Sequence, residues 1–167
     1  MLINHLLKPF SVSSVAGVLA VATLSFSFAA SANAADFDYA LKRGGNDASR
    51  AATKLLKKGR AADAAPIFRG IINKGGRKAL LKIAHTNLCA AESMLGNQDV
   101  AVKACNTAIE LDSGYWEAWL NRGHAKQLLG DKTGAAEDYA KAQNIAPKED
   151  VVIAAVNALS GSTLAAK

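Results

Sequence analysis

Three side chains carry most of the chemical potential of this chain. His85 and Cys89 are four residues apart, and a second cysteine follows at 105. On a helix the first two share a face, and an imidazole with two thiolates is a soft-metal ligand set. Two thiols alone make a disulfide in an oxidising compartment, and two buried cysteines also serve as small apolar core residues. Nothing else in the sequence supplies a reaction centre. There is no Gly-rich phosphate loop, Gly-x-Ser-x-Gly elbow, His-Glu-x-x-His or Cys-x-x-Cys. His5 and His124 have no nucleophile or base beside them in any such motif. These observations predict a protein that is not an enzyme and has no cofactor, and no metal site is assigned.

The elements that must position these residues are helices. Half of the 167 residues are hydrophobic but only 6% are aromatic, and Ala and Leu dominate the apolar set, a composition suited to close-packed helices rather than a half-buried sheet. With 3 Pro and 13 Gly, a disordered or fibrous chain is excluded and one compact domain is expected. Charge is uneven. Ala35 to Lys82 holds 12 bases and four acids, within an overall net charge of +6. Arg50, Lys54, Lys57 and Lys58 form a basic face that suits anionic lipid, polysaccharide or an acidic protein, or is simply a solvated helix surface. No aromatic platform is interleaved with the bases, so nucleic acid is not an expected partner.

Residues 1–34 have the layout of a signal peptide. Lys8 precedes a charge-free stretch from Pro9 to Ala35 that is mostly apolar from Val15 to Phe28, and Ala32-x-Ala34 matches a small-x-small cleavage site. Cleavage after Ala34 and a periplasmic address are expected. The alternative is an uncleaved inner-membrane anchor, since such a run can span roughly 30 Å of hydrocarbon.

Shifting the chain by 34 residues pairs Ala84 with Ala118, Asn87 with Asn121, Ala91 with Ala125, Leu95 with Leu129, Gly96 with Gly130, Ala101 with Ala135 and Ala108 with Ala142. Small residues let antiparallel helices approach closely, and the glycines fall where a helix must stop. The later unit, with Trp119, Gly123, Gly130, Ala135-x-x-x-Tyr139, Ala142 and Pro147, closely resembles the tetratricopeptide repeat. It departs at Arg122 and Lys126, where the motif prefers Leu and Tyr. The unit before it keeps Leu88, Gly96, Ala101 and Ala108 but has His85, Cys89 and Cys105 at motif positions, and Ala52, Leu55, Gly59, Ala64 and Phe68 repeat the spacing upstream. The resemblance implies an all-α, right-handed superhelix of three helical hairpins (45–81, 82–115 and 116–149) after a lead-in at 35–44. A capping helix and tail at 150–167 complete it, with the tail frayed from Ser160. Asp36 to Arg43 is expected to cap the first hairpin through Phe37 and Tyr39.

The repeat register also turns Cys89 and Cys105 into the interface between two paired helices. A disulfide and plain packing both remain open there.

In tetratricopeptide proteins the first helix of each pair lines a concave groove that takes an extended peptide or a helix. By that resemblance the lining here is Asn46, Ser49, Arg50, Thr53 and Lys57 in the first pair, Ile83, Asn87, Ala90 and Met94 in the second, and Glu117, Leu120, Asn121, His124 and Leu128 in the third. Asn87 and Asn121 are register-matched, and an Asn amide can bond both groups of a peptide unit. The basic set with which some family members clamp a carboxylate terminus is incomplete, with Ser49, Thr53 and Glu117 at its positions. The expectation is a non-catalytic adaptor of the bacterial envelope, partnered by another envelope protein. The alternative is a tethered assembly factor using the basic first pair against an anionic surface.

Overall fold

A computed structural model describes residues 38–42 and 44–164 of the chain. The segment expected to be a signal peptide lies outside the described residues, as does Phe37. Seven helices are described: α1 (Asp47–Leu56), α2 (Ala61–Lys74), α3 (Lys78–Met94), α4 (Gln98–Leu111), α5 (Trp116–Leu128), α6 (Lys132–Ile145) and α7 (Asp150–Leu164). They form three antiparallel hairpins, α1/α2, α3/α4 and α5/α6, stacked into a superhelix and closed by α7.

Local chemistry sets the helix ends. The Asn46 side chain accepts from the Ser49 N–H at 2.9 Å to start α1, and the Asp131 carboxylate accepts from the Gly134 N–H at 2.8 Å to start α6; each satisfies an N–H that the helix itself leaves free. The hairpin turns at Gly96 and Gly130 need φ of +81° and +85°, a region open to glycine at little cost.

Small residues then decide how closely the helices pack. Ala52, Ala64, Ala84, Ala91 and Ala101 are fully buried around Phe68 and Leu88. In the third hairpin Gly123 lies against the Tyr139 ring so closely that a Cβ would collide with it. α7 buries Val152 and Leu159 against the Leu120, Tyr139 and Ala142 cluster, covering the apolar side that a terminal repeat leaves without a neighbour. This helix runs on to Leu164 instead of fraying at Ser160. The Ser160 hydroxyl donates to the Val156 carbonyl at 3.0 Å, a bond that accommodates serine within a helix.

Candidate functional site

The face formed by α1, α3 and α5 is already occupied by the chain itself. Residues 38–42 run across it as an extended strap, from α5 toward α3. The Asn121 side chain accepts from the Ala40 N–H at 3.0 Å and donates to the Ala40 carbonyl at 3.2 Å. The Asn87 side chain does the same for Lys42, accepting at 3.2 Å and donating at 3.0 Å. Alternate residues of an extended chain point the same way, so the strap advances two residues for each helical pair and meets one asparagine at each step. Asn87 is held in place by a further bond to the Thr53 hydroxyl at 3.0 Å, which itself donates to the Ser49 carbonyl at 2.8 Å. α1 thus positions the reader on α3.

Three strap side chains are also read. Tyr39 is buried and meets the His124 ring edge-on, with centroids 5.2 Å apart, while His124 meets Tyr139 at 5.4 Å. Burial pushes the Tyr39 hydroxyl up to about 12, opposed by a smaller effect of its hydrogen bond with Ser93. Burial drives the His124 imidazole down to about 3, so it is neutral near pH 7. Leu41 packs among Leu56 and Met94, beside an open cleft of about 510 Å³ that Lys57 and Asp38 also line. Lys42 pairs with Glu117 at 3.0 Å, and the Glu117 side chain is only 4% exposed. Its second oxygen has no hydrogen-bond partner among the described residues.

The expected open lining is therefore corrected. Ser49, Thr53, Asn87, Ala90, Glu117, Leu120, Asn121 and His124 are all buried, because the strap and the neighbouring helices cover them. Asn46 is spent on capping α1. Arg50 pairs with Asp47 and donates to the Gly45 carbonyl at 2.8 Å, and Lys57 is exposed. Ile83, Met94 and Leu128 are half-buried. The lead-in, expected as an end cap of the first hairpin, instead crosses to the third. The one sequence signal for this was the non-helical Asp38-Tyr39-Ala40-Leu41-Lys42 run ahead of Gly44-Gly45.

Cys89 on α3 and Cys105 on α4 are joined by a disulfide with Cα atoms 5.4 Å apart. Both are fully buried, and His85 beside them is half-buried, with desolvation lowering its pKa. No cluster of His, Cys, Asp and Glu able to hold a metal occurs among the described residues. The two departures from the repeat motif have a common purpose. Arg122 donates to both oxygens of the Asp138 carboxylate at 2.8 and 2.6 Å, and Lys126 approaches it at 3.0 Å.

A protein-family comparison matches residues 117–149 to the tetratricopeptide repeat. FK506-binding protein-like of Rattus norvegicus is 35% identical over 66 residues, covering 40% of this chain and 19% of that protein. Its Homo sapiens counterpart is 33% identical over 66 residues, covering 40% and 19%. The chain thus matches about a fifth of the length of these curated relatives. Among solved structures, the second TPR domain of human RPAP3, in complex with an HSP70 peptide, is 21% identical with a TM-score of 0.60, covering 68% of this chain and 92% of that one. PcrH in complex with the chaperone binding region of PopB is 17% identical with a TM-score of 0.57, covering 72% and 98%. The fold is that of a tetratricopeptide-repeat domain, and residues 117–149 are one such repeat.

Proposed function

We propose that the protein is a non-catalytic interaction adaptor of the bacterial cell envelope, taking an extended segment of another envelope protein on the face of α1, α3 and α5. The observation that carries this reading is the asparagine ladder: Asn87 and Asn121 each hold the N–H and C=O of one residue in an extended chain. These bonds go to main chain, so they recognise a polypeptide with little regard to its sequence. RPAP3 and PcrH were each solved with a bound peptide or partner region, which supports the same use of this fold here. The envelope address rests on the composition of residues 1–34. A photo-crosslinker at Met94, in the cleft beside the strap, is expected to capture an envelope protein. Capture only from positions on α2, α4 or α6 would overturn the groove reading. The mass of the exported protein tests the address, with a start at Ala35 expected.

The second reading, a tethered factor facing an anionic surface, is favoured by the exposed Lys54, Lys57 and Lys58. It requires binding to anionic vesicles that weakens steeply as salt shortens the screening length to about 10 Å at 0.1 M. Salt-insensitive binding removes it.

A further inference from the structure

The strap is held as a ligand is held. Its four main-chain hydrogen bonds come from two side-chain amides, so a competing extended segment can replace each of them one for one. It joins α1 through Gly44-Gly45, which lie close against Ile83 and Leu80 of α3; Gly45 has φ of +79°, and two successive glycines give the main chain the conformational range to redirect the segment without unwinding the helix. Its side chains enter sites of distinct character. Tyr39 meets the His124 ring, Ala40 is closely covered, Leu41 lies among apolar groups, and Lys42 reaches a buried carboxylate. The Lys42 side chain is half exposed, so the end of the strap next to α1 is its weakest hold.

We infer that residues 38–42 are a displaceable occupant, and that the groove takes from its partner an extended segment of the pattern aromatic, small, apolar, basic, running from α5 toward α3. The inference deepens the adaptor reading and rests on it. Glu117 sets the sign of the charge. A groove that clamps a carboxylate terminus needs a base at this position, whereas a buried acid with one oxygen unpartnered among the described residues selects a cation. Because the strap is tethered a few residues from its site, its effective concentration is in the millimolar range. A free partner is therefore weakened by the fraction of molecules whose groove is closed, and the unaltered chain holds the site in reserve.

The probe is a fluorescent synthetic peptide of residues 36–44, titrated into the full chain and into a Y39A/K42E variant that weakens the strap. The variant is expected to bind at least tenfold more tightly than the unaltered chain, and adding Asn121→Ala is expected to abolish that gain. A peptide with glutamate in place of its lysine is expected to bind at least tenfold less well than the parent peptide. Equal binding by both proteins, or none by either, would overturn the inference. Should the variant fail to fold, hydrogen exchange on the unaltered chain decides the matter. Millimolar peptide should accelerate exchange at the Ala40 and Lys42 amides, and unchanged protection overturns the inference. A dimer of the unaltered chain dissolved by the peptide would assign the groove to the strap of a second copy, also overturning it. Crosslinking from Met94 is independent of the peptide. A captured envelope protein alongside a silent peptide would leave the adaptor reading standing and remove only this partner chemistry.

Discussion

The second and third hairpins share one register and solve the same packing problem with different chemistry. Cys89 and Cys105 of α3/α4 stand 34 residues before Gly123 and Tyr139 of α5/α6. At that position the second hairpin is joined by a covalent bond, whereas the third seats a tyrosine ring directly on a glycine. One step away, Leu88 and Ala104 of the second hairpin are replaced by Arg122 and Asp138 of the third, so apolar packing gives way to a bidentate ion pair with a second cation alongside. The repeat thus prescribes how closely two helices approach and leaves open which forces hold them. A redox-sensitive hairpin and a charge-sensitive hairpin sit side by side in one superhelix.

The largest effect is expected from Asp138→Ala. The change strands Arg122 and Lys126, whose side chains are 16% and 20% exposed, and removing one partner of a buried ion pair costs about 3–5 kcal/mol. Urea unfolding measures it. Transferring the second hairpin's solution, with Arg122→Leu added to Asp138→Ala, should recover part of the loss; no recovery would mean that the two interfaces are not equivalent.

Reduction of the disulfide comes next. The bridge closes a 16-residue separation, for which chain-entropy estimates give about 3 kcal/mol. Thiol titration of the denatured, unreduced protein should find no free thiol, and unfolding with and without reductant should differ by that amount. A Cys89→Gly, Cys105→Tyr chain, borrowing the third hairpin's solution, should be insensitive to reductant.

His124 confers a pH dependence at a position where the second hairpin carries Ala90; that hairpin's own histidine, the half-buried His85, is shifted in the same direction by desolvation. The groups around His124 are Tyr39 of the strap, Tyr139 of α6, and Asp38 and Gln127 beside them. Burial lowers its pKa in the folded state from 6.5 to about 3, so over that range the unfolded chain binds a proton that the folded one refuses. Stability therefore falls as pH drops below 6.5, by about 2 kcal/mol at pH 5, and is unaffected above it. Comparing unfolding midpoints at pH 7 and pH 5, with His124→Leu as the control, checks this contribution. An equal acid slope in the control would assign the sensitivity elsewhere.

The smallest expected difference is between the two asparagines. Asn121 bonds Ala40 in a buried setting, and Asn87 bonds Lys42 in a partly buried one. Leaving buried main-chain groups unpaired costs about 1–3 kcal/mol, so Asn121→Ala should destabilise more than Asn87→Ala. Hydrogen exchange at the Ala40 and Lys42 amides should show the same order. The sequence reading, which places both residues in a groove lining, assigns neither of them a part in folding.

Much of the architecture was legible because it follows from spacing. The 34-residue recurrence of Ala, Asn and Gly, the Ala-x-x-x-Tyr step at 135–139 and the apolar spacing of the last helix are all properties of the chain read along its length. The importance of Asn87 and Asn121, and their aptness for main-chain groups, were also visible there. Their occupant was not. Residues 40 and 121 are 81 apart, and no periodicity connects a short non-helical segment to the fifth helix after it. The same holds for Arg122 and Lys126, which looked like departures from a motif until the fold brought Asp138 between them.

The amino-acid sequence by itself determined the helices, their pairing and the small residues at which they touch, because helical period and residue volume are local properties. Only the tertiary structure decided that the asparagine ladder grips the chain's own residues 40 and 42, that a buried glutamate pairs with the strap's Lys42, and that one hairpin is bridged by sulfur where the next is bridged by a ring. Those outcomes depend on which distant groups are left to satisfy one another once water is excluded, a balance that exists only after the helices have stacked.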